Sequence, residues 1–234
     1  MIPRHIHYVW MGGKPKPFYL RWCIKTFHQK GFEVTEWNEN NFDVNSHPFL
    51  RDAYSKKQWA FVSDFVRMSV IYKYGGIYMD TDVVVVSDLD PLLQHDCFVG
   101  FERKDAPFTA VFGAVAGHPL IKDILSYYDT CKLTYCLSDN NTGSVSRLLV
   151  EKYGCRADNS EQDLETGIHV YPCTRLCMPG PNSITLHLFL GSWLRNTTWK
   201  KKFSIFAKCY LNHKLLMKAY LWYLRVRHNY NPET

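Results

Sequence analysis

Apolar residues along this chain switch repeatedly between a period of two and a helical period. Residues 5–10, His-Ile-His-Tyr-Val-Trp, alternate as a first strand does, and Gly12-Gly13 with Pro15 and Pro17 then opens a loop. Residues 18–30 suit an amphipathic helix closed by Gly31, and residues 32–37 read as a second strand before a polar loop over 38–47. From Gln58 to Tyr74, the positions of Ala60, Phe61, Phe65, Val66, Met68, Val70, Ile71 and Tyr74 predict a largely buried helix ended by Gly75-Gly76. The next strand is expected to run from Ile77 through Asp80 and Asp82 into Val83–Val86. Further strands are predicted at 97–101, 109–114, 168–171 and 184–190, helices at 119–131 and 142–153, and a surface loop at 159–165. Strands alternating with helices predict an α/β layer architecture around a mostly parallel sheet.

The centre of this pattern carries candidate chemistry. In a continuous strand Asp80 and Asp82 would project from one side, with Thr81 opposite. Two carboxylates at a strand end suit a hard divalent cation that also binds phosphates. Upstream, Asp64 and Arg67 stand three residues apart on the predicted helix and so share a face. One tight turn at Gly75-Gly76 brings an acid, a base and an acidic pair together, as an anionic, hydroxyl-rich ligand would require.

Composition narrows the class. A chain of 234 residues, 46% hydrophobic and 21% charged, can bury the core of one α/β domain and is not disordered in character. No apolar run reaches membrane-spanning length, and the opening Met-Ile-Pro-Arg-His-Ile-His lacks the apolar core of a signal peptide, so cytosolic folding is expected. The eight cysteines are scattered and read as free thiols; Cys173 and Cys177 lack the second pair that a zinc site wants. The net charge of +6 is uneven: residues 196–234 hold eight Lys or Arg against Glu233 alone, so residues 1–195 are close to neutral. The expected division is a catalytic domain over 1–195 and a basic helical tail over 196–234. Within the tail, residues 200–228 mix lysines with aromatic and leucine positions, as a helix on an anionic membrane surface would. No nucleic-acid motif accompanies the charge.

Four blocks carry a resemblance. They are Ile2–Trp10, Glu36–Asp43, Trp59–Arg67 and Gly75–Asp82, with weaker echoes at Gly113–Pro119 and His187–Trp193. Together they resemble glycosyltransferases with a DXD sugar-binding region: capsular-polysaccharide transferases, yeast initiating mannosyltransferases and, distantly, clostridial glucosylating toxins. The resemblance implies a GT-A nucleotide-binding α/β fold, a divalent metal (Mn2+ or Mg2+) and transfer of a sugar from a nucleotide diphosphate with retention. It assigns Val9 and Trp10 to the base, and Asp64, Arg67, Gly76 and Tyr78 to the donor sugar and diphosphate. Asp80 touches donor and metal, Asp82 is a direct metal ligand, and His187 is a further candidate ligand. Asn141, Ser192 and Trp193 are candidate donor contacts, the last two from a closing segment. The basic aromatic tail points to a saccharide or lipid-linked saccharide acceptor at the cytosolic face of a membrane, in cell-surface polysaccharide synthesis.

Two other readings compete. Apolar residues followed by Asp80-Thr81-Asp82-Val83 also resemble the nucleophile loop of haloacid-dehalogenase-type phosphatases, although their downstream Lys and acidic pair have no convincing copy. A carbohydrate-binding relative without turnover is the other. Glu102 is a weak candidate for a covalent nucleophile.

Overall fold

The computed structural model describes residues 1–130 and 141–190. Its strands are β1 (His5–Val9), β2 (Glu33–Trp37), β3 (Gly76–Met79), β4 (Val83–Val85), β5 (Cys97–Gly100), β6 (Val111–Ala114), β7 (Gln162–Leu164), β8 (Ile168–Tyr171) and β9 (Thr185–His187). Its α-helices are α1 (Phe18–Lys25), α2 (Pro48–Ser55), α3 (Trp59–Tyr74), α4 (Pro119–Thr130), α5 (Asn141–Tyr153) and the short α6 (Cys173–Leu176). Seven strands form one sheet in the order β2-β1-β3-β6-β5-β8-β7, while β4 and β9 pair separately. β1 is parallel to β2 and β3, and β5 to β8; β6 and β7 run against their neighbours. The directions of β1, β2, β3, β5 and β8 therefore agree, as the α/β pattern predicted.

Strand alternation divides the core in two. Ile6, Tyr8, Ile77 and Met79 face Ile24 and Phe27, whereas Val9, Trp37 and Tyr78 face Val62, Phe65 and Val66 of α3. Each fully buried aliphatic side chain contributes about 1.5–3 kcal/mol, so both layers are firmly held. A third cluster, Leu20 and Cys23 with Val84, Leu188 and Leu190, fastens α1 to the β4–β9 pair.

The turn from α3 into β3 is built on close approach. Gly75 and Gly76 both have positive φ (66° and 106°), and a Cβ on Gly76 would stand 2.5 Å from the His5 carbonyl oxygen. Trp37 donates from Nε1 to His7 Nδ1 at 3.0 Å, which leaves His7 Nε2 protonated to donate to the Gly75 carbonyl at 2.9 Å. His7 is thus a neutral strut with no exposure, and burial lowers its pKa to about 4.

Several elements depart from the sequence pattern. The first helix stops at Lys25 rather than running to Gly31, because Thr26 donates to the Cys23 carbonyl and accepts the Val85 amide at 2.9 Å, pinning the chain to β4. The strand expected through the acidic pair is broken into β3 and β4 by a turn closed by Val83 N–H donating to the Asp80 carbonyl at 3.0 Å. Residues 184–190 hold only the short β9, and the segment 159–165 contains β7, an edge strand paired with β8 rather than a loop. α2 was not expected; Pro48 opens it, and the His47 ring accepts the Phe49 amide at 3.2 Å. Cys97, Cys155, Cys173 and Cys177 are buried thiols outside any disulfide, and Cys23 is buried as well. Ser192, Trp193, the boundary at residue 195 and the tail over 200–228 lie outside the described residues.

Candidate functional site

α3 carries Ser63, Asp64 and Arg67 on the face that meets β3. Alternation sends Tyr78 to that same face, so its ring lies beside the Arg67 guanidinium, 5.5 Å from the ring centre, with Phe108 at 5.9 Å. Tyr78 donates to Asp80 Oδ1 at 2.9 Å and lies 3.1 Å from Ser63 Oγ. Arg67 pairs with Asp64 at 2.5 Å through Nη2 and stands 3.5 Å from Asp80 through Nη1. One buried cation is thus shared by two carboxylates, one on its own helix and one at the end of β3.

The turn after β3 then carries the chain to Asp82. Its Oδ2 accepts the Leu190 amide at 2.8 Å, and its backbone carbonyl accepts the Leu188 amide at 3.0 Å. Pairing of β4 with β9 sets Val83 opposite His187, and His187 Nε2 lies 3.3 Å from Asp82 Oδ1. Ligand atoms of Asp80, Asp82 and His187 all lie within 4.8 Å of one another, the spacing at which one ion can bridge them. Two carboxylates and an imidazole make an O,O,N donor set that suits Mn2+ or Mg2+ better than a soft ion. His187 Nε2 is the atom turned to the carboxylate, while Nδ1 is buried without a hydrogen-bond partner. These residues fit a divalent cation, although the two carboxylates meet across a turn rather than by strand alternation.

The electrostatics divide the site. Burial opposes the charge on Asp82, but His187 and the Leu190 amide prevail and hold its pKa below the usual carboxylate value. Burial likewise disfavours the His187 imidazolium, yet Asp82 raises its pKa well above the ordinary range. On Asp64 and Asp80 burial wins and the pKa rises, with Arg67 opposing in each case. Arg67 stays charged: burial opposes it, and Asp64 and Asp80 more than offset that penalty. The same guanidinium keeps Nε buried and unpaired, a donor left over for a ligand.

The remaining candidates lie elsewhere on these and neighbouring elements. Val9 is buried at the carboxyl end of β1. Trp10, next to it, is half-buried against the third cluster, and its indole N–H donates to the Lys14 carbonyl at 2.7 Å. Gly76 opens β3 at the far end of that strand from Asp80, where it acts through backbone geometry. Asn141 begins α5, is buried and stands beside Asp64. Glu102, just past β5, has 20% side-chain exposure; burial raises its pKa against the opposing charges of His187, Arg103 and Arg67. Sequence reading did not single out the Ser63 hydroxyl, the Phe108 ring or the amides of Leu188 and Leu190. Ser63 was detectable as the residue one helical turn before Arg67; the others depend on long-range packing.

Residues 18–99 match the family described as glycosyltransferase sugar-binding region containing DXD motif. Over 134 residues the chain is 28% identical to inositol phosphoceramide mannosyltransferase 3 of Schizosaccharomyces pombe, covering 53% of this chain and 36% of that protein. The chain thus spans about a third of that relative's length. It is also 28% identical over 193 residues to the uncharacterized glycosyltransferase L373 of Acanthamoeba polyphaga mimivirus, covering 74% of each. Among solved structures, the glycosyltransferase GlyE of Streptococcus pneumoniae superposes with a TM-score of 0.50 at 8% identity, over 94% of this chain and 64% of that one. At that identity the likeness is one of fold, and the fold is GT-A.

Proposed function

We propose that this chain is a metal-dependent, retaining glycosyltransferase. It would move a hexose from a nucleotide-diphosphate sugar to a saccharide or lipid-linked saccharide in cell-surface polysaccharide assembly. The observation that supports this most is the meeting of Asp80, Asp82 and His187 beside the Asp64–Arg67 pair, at the carboxyl end of β3. Ligands of open α/β sheets bind outside the carboxyl ends of the strands, which is where this polar cluster sits.

Asp80, Asp82 and His187 would hold Mn2+ or Mg2+, whose charge would offset that gathering on the β-phosphate as the nucleoside diphosphate departs. Arg67 supplies a forked, permanently charged donor to the same diphosphate, and its unpaired Nε is available for it. Asp64 holds Arg67 in place and accepts from hydroxyls of the donor sugar, with Asn141 beside it. Tyr78 orients the Asp80 carboxylate, and Trp10 is the platform for the base. Ser192 and Trp193 would close over the donor. In a retaining transfer the bond from C1 to the diphosphate oxygen breaks, and the acceptor oxygen bonds to C1 on that same face. The leaving diphosphate then takes the acceptor proton.

A uridine donor is the reading from resemblance; the mannosyltransferase name of the yeast relative makes GDP-mannose the second donor to test. Among the described residues the cation beside Asp80 is Arg67, where the dehalogenase-type alternative wants a lysine. No helix among the described residues is long and apolar enough to cross a membrane.

Titration of UDP-glucose, UDP-galactose, UDP-N-acetylglucosamine and GDP-mannose, each with and without Mn2+, tests this reading by thermal unfolding. A rise in midpoint that requires both Mn2+ and one donor supports it, because a ligand of the folded state stabilises by mass action. Phosphatase turnover through an Asp80 phosphoenzyme would overturn it.

A further inference from the structure

α1 presents a face that the proposed donor site does not use. Leu20, Cys23 and Ile24 of this helix are buried, whereas Phe18 keeps 60% of its surface exposed. At about 100° per residue, Phe18, Arg21, Trp22 and Lys25 share one side of the helix. Arg21 and Lys25 project to solvent there, with Trp22 half-buried between α1 and the third cluster.

The charge of this region is one-sided. No acidic residue precedes Glu33, while Lys14, Lys16, Arg21, Lys25 and Lys30 all fall in the segment before it. Neither Arg21 nor Lys25 has an ion-pair partner among the described residues, and like charges one helical turn apart repel. Beside the helix, Tyr8, Pro15, Lys16, Arg21, Lys25 and His28 line a cavity of about 400 Å3. The nearby carboxylate, Glu36, is already occupied: it accepts from Lys16 at 2.6 Å and from Tyr8 at 2.7 Å. The outer cations of the cavity are left for an anion from outside.

We propose that the outer face of α1, with the loop over residues 12–17 before it, docks on an anionic lipid surface. Phe18 enters the headgroup layer, and Arg21, Lys25 and His28 take lipid phosphates at the cavity. An exposed phenylalanine flanked by unpaired cations is what an interfacial site needs and what a site for a small soluble anion does not. The buried side of α1 packs through Leu20 and Cys23 on Leu188 and Leu190, whose amide binds Asp82. Docking here would therefore hold the mouth of the polar cluster close to the headgroups. This surface takes no part in the transfer reaction itself.

Co-sedimentation of the full chain with phosphatidylcholine vesicles, with and without phosphatidylserine, tests it. Neither metal nor donor is added, so the result is read apart from the donor titration. The unaltered chain is expected to sediment only with the anionic vesicles. The double substitution Arg21→Glu and Lys25→Glu should weaken that binding by about tenfold or more, and Phe18→Ser should weaken it too. Should the double variant unfold, Arg21→Gln and Lys25→Gln made singly replace it, each expected to lower binding by about threefold or more. Unchanged sedimentation of the charge variants, or no sedimentation of the unaltered chain, would overturn the proposal. So would binding that Phe18→Ser leaves intact while inorganic phosphate abolishes it, which would make the cavity a free-anion site.

Discussion

His187 Nε2 lies 3.3 Å from Asp82 Oδ1, although the two residues belong to segments far apart in the chain. Antiparallel pairing of β4 with β9 sets the distance, through the register that puts Val83 opposite His187. A small sheet apart from the main one thereby delivers the third member of an Asp-Asp-His cluster.

His187→Ala and Asp82→Ala are each expected to abolish the Mn2+-dependent part of any donor-induced rise in unfolding midpoint. Asp82→Ala should also loosen residues 188–190, because the carboxylate accepts the Leu190 amide at 2.8 Å. Calorimetric titration of Mn2+ checks the first effect, and hydrogen exchange at the Leu190 amide checks the second. Full Mn2+ affinity in His187→Ala would remove the histidine from the site.

Arg67→Lys keeps the charge but loses the fork that meets Asp64 and Asp80 together. It is expected to lower kcat/KM by about a hundredfold or more, on the scale of losing one charge-stabilising donor. Arg67→Ala leaves two partly buried carboxylates without their cation and should destabilise the fold by about 1–3 kcal/mol. Steady-state kinetics and urea unfolding separate the two effects.

Tyr78→Phe removes the hydroxyl that donates to Asp80 at 2.9 Å and meets Ser63 at 3.1 Å. The expected stability loss is about 1 kcal/mol, the usual worth of a hydrogen bond. Donor affinity should fall with it, since Asp80 is no longer held. An unchanged donor affinity would show that Arg67 alone fixes Asp80.

Gly76→Ala places a Cβ at 2.5 Å from the His5 carbonyl oxygen and imposes a side chain at φ 106°. Backbone on one side and conformational strain on the other leave no easy relief, so a loss of about 2 kcal/mol or more is expected. A thermal midpoint close to that of the unaltered protein would argue against the tight turn.

His7 gives the fold an acid limit. Its folded pKa is lowered to about 4, so the unfolded chain binds the extra proton between that value and the ordinary histidine range. Stability from this group is complete at neutral pH and is lost as pH falls through that window, by about 2 kcal/mol at pH 5. Urea unfolding at pH 7 and pH 5, compared between the unaltered chain and His7→Gln, isolates this share. The variant should be weaker at pH 7 and should lose less on acidification.

Periodicity settled much of this molecule in advance. Residues 59–74 form a helix and Gly75 ends it because a long apolar pattern at helical spacing, followed by two glycines, leaves few alternatives. The strands β1, β2, β5 and β8 lie close to where their apolar residues placed them, since each buries one or both faces. Asp64, Arg67, Tyr78, Asp80 and Asp82 could be singled out because local geometry and the DXD resemblance act over short spans. Strand alternation was the wrong reason for joining Asp80 and Asp82: the Asp80 carbonyl closes a turn onto Val83, and the chain leaves the main sheet there. No local pattern encodes that departure, nor the stop of α1 at Thr26, which depends on the amide of Val85 from a distant strand. The sequence by itself determined the elements and the acidic and basic residues at their ends. Only the tertiary structure decided that His187, Leu190 and Glu102 approach those residues, because such contacts rest on strand pairing and packing between segments far apart in the chain.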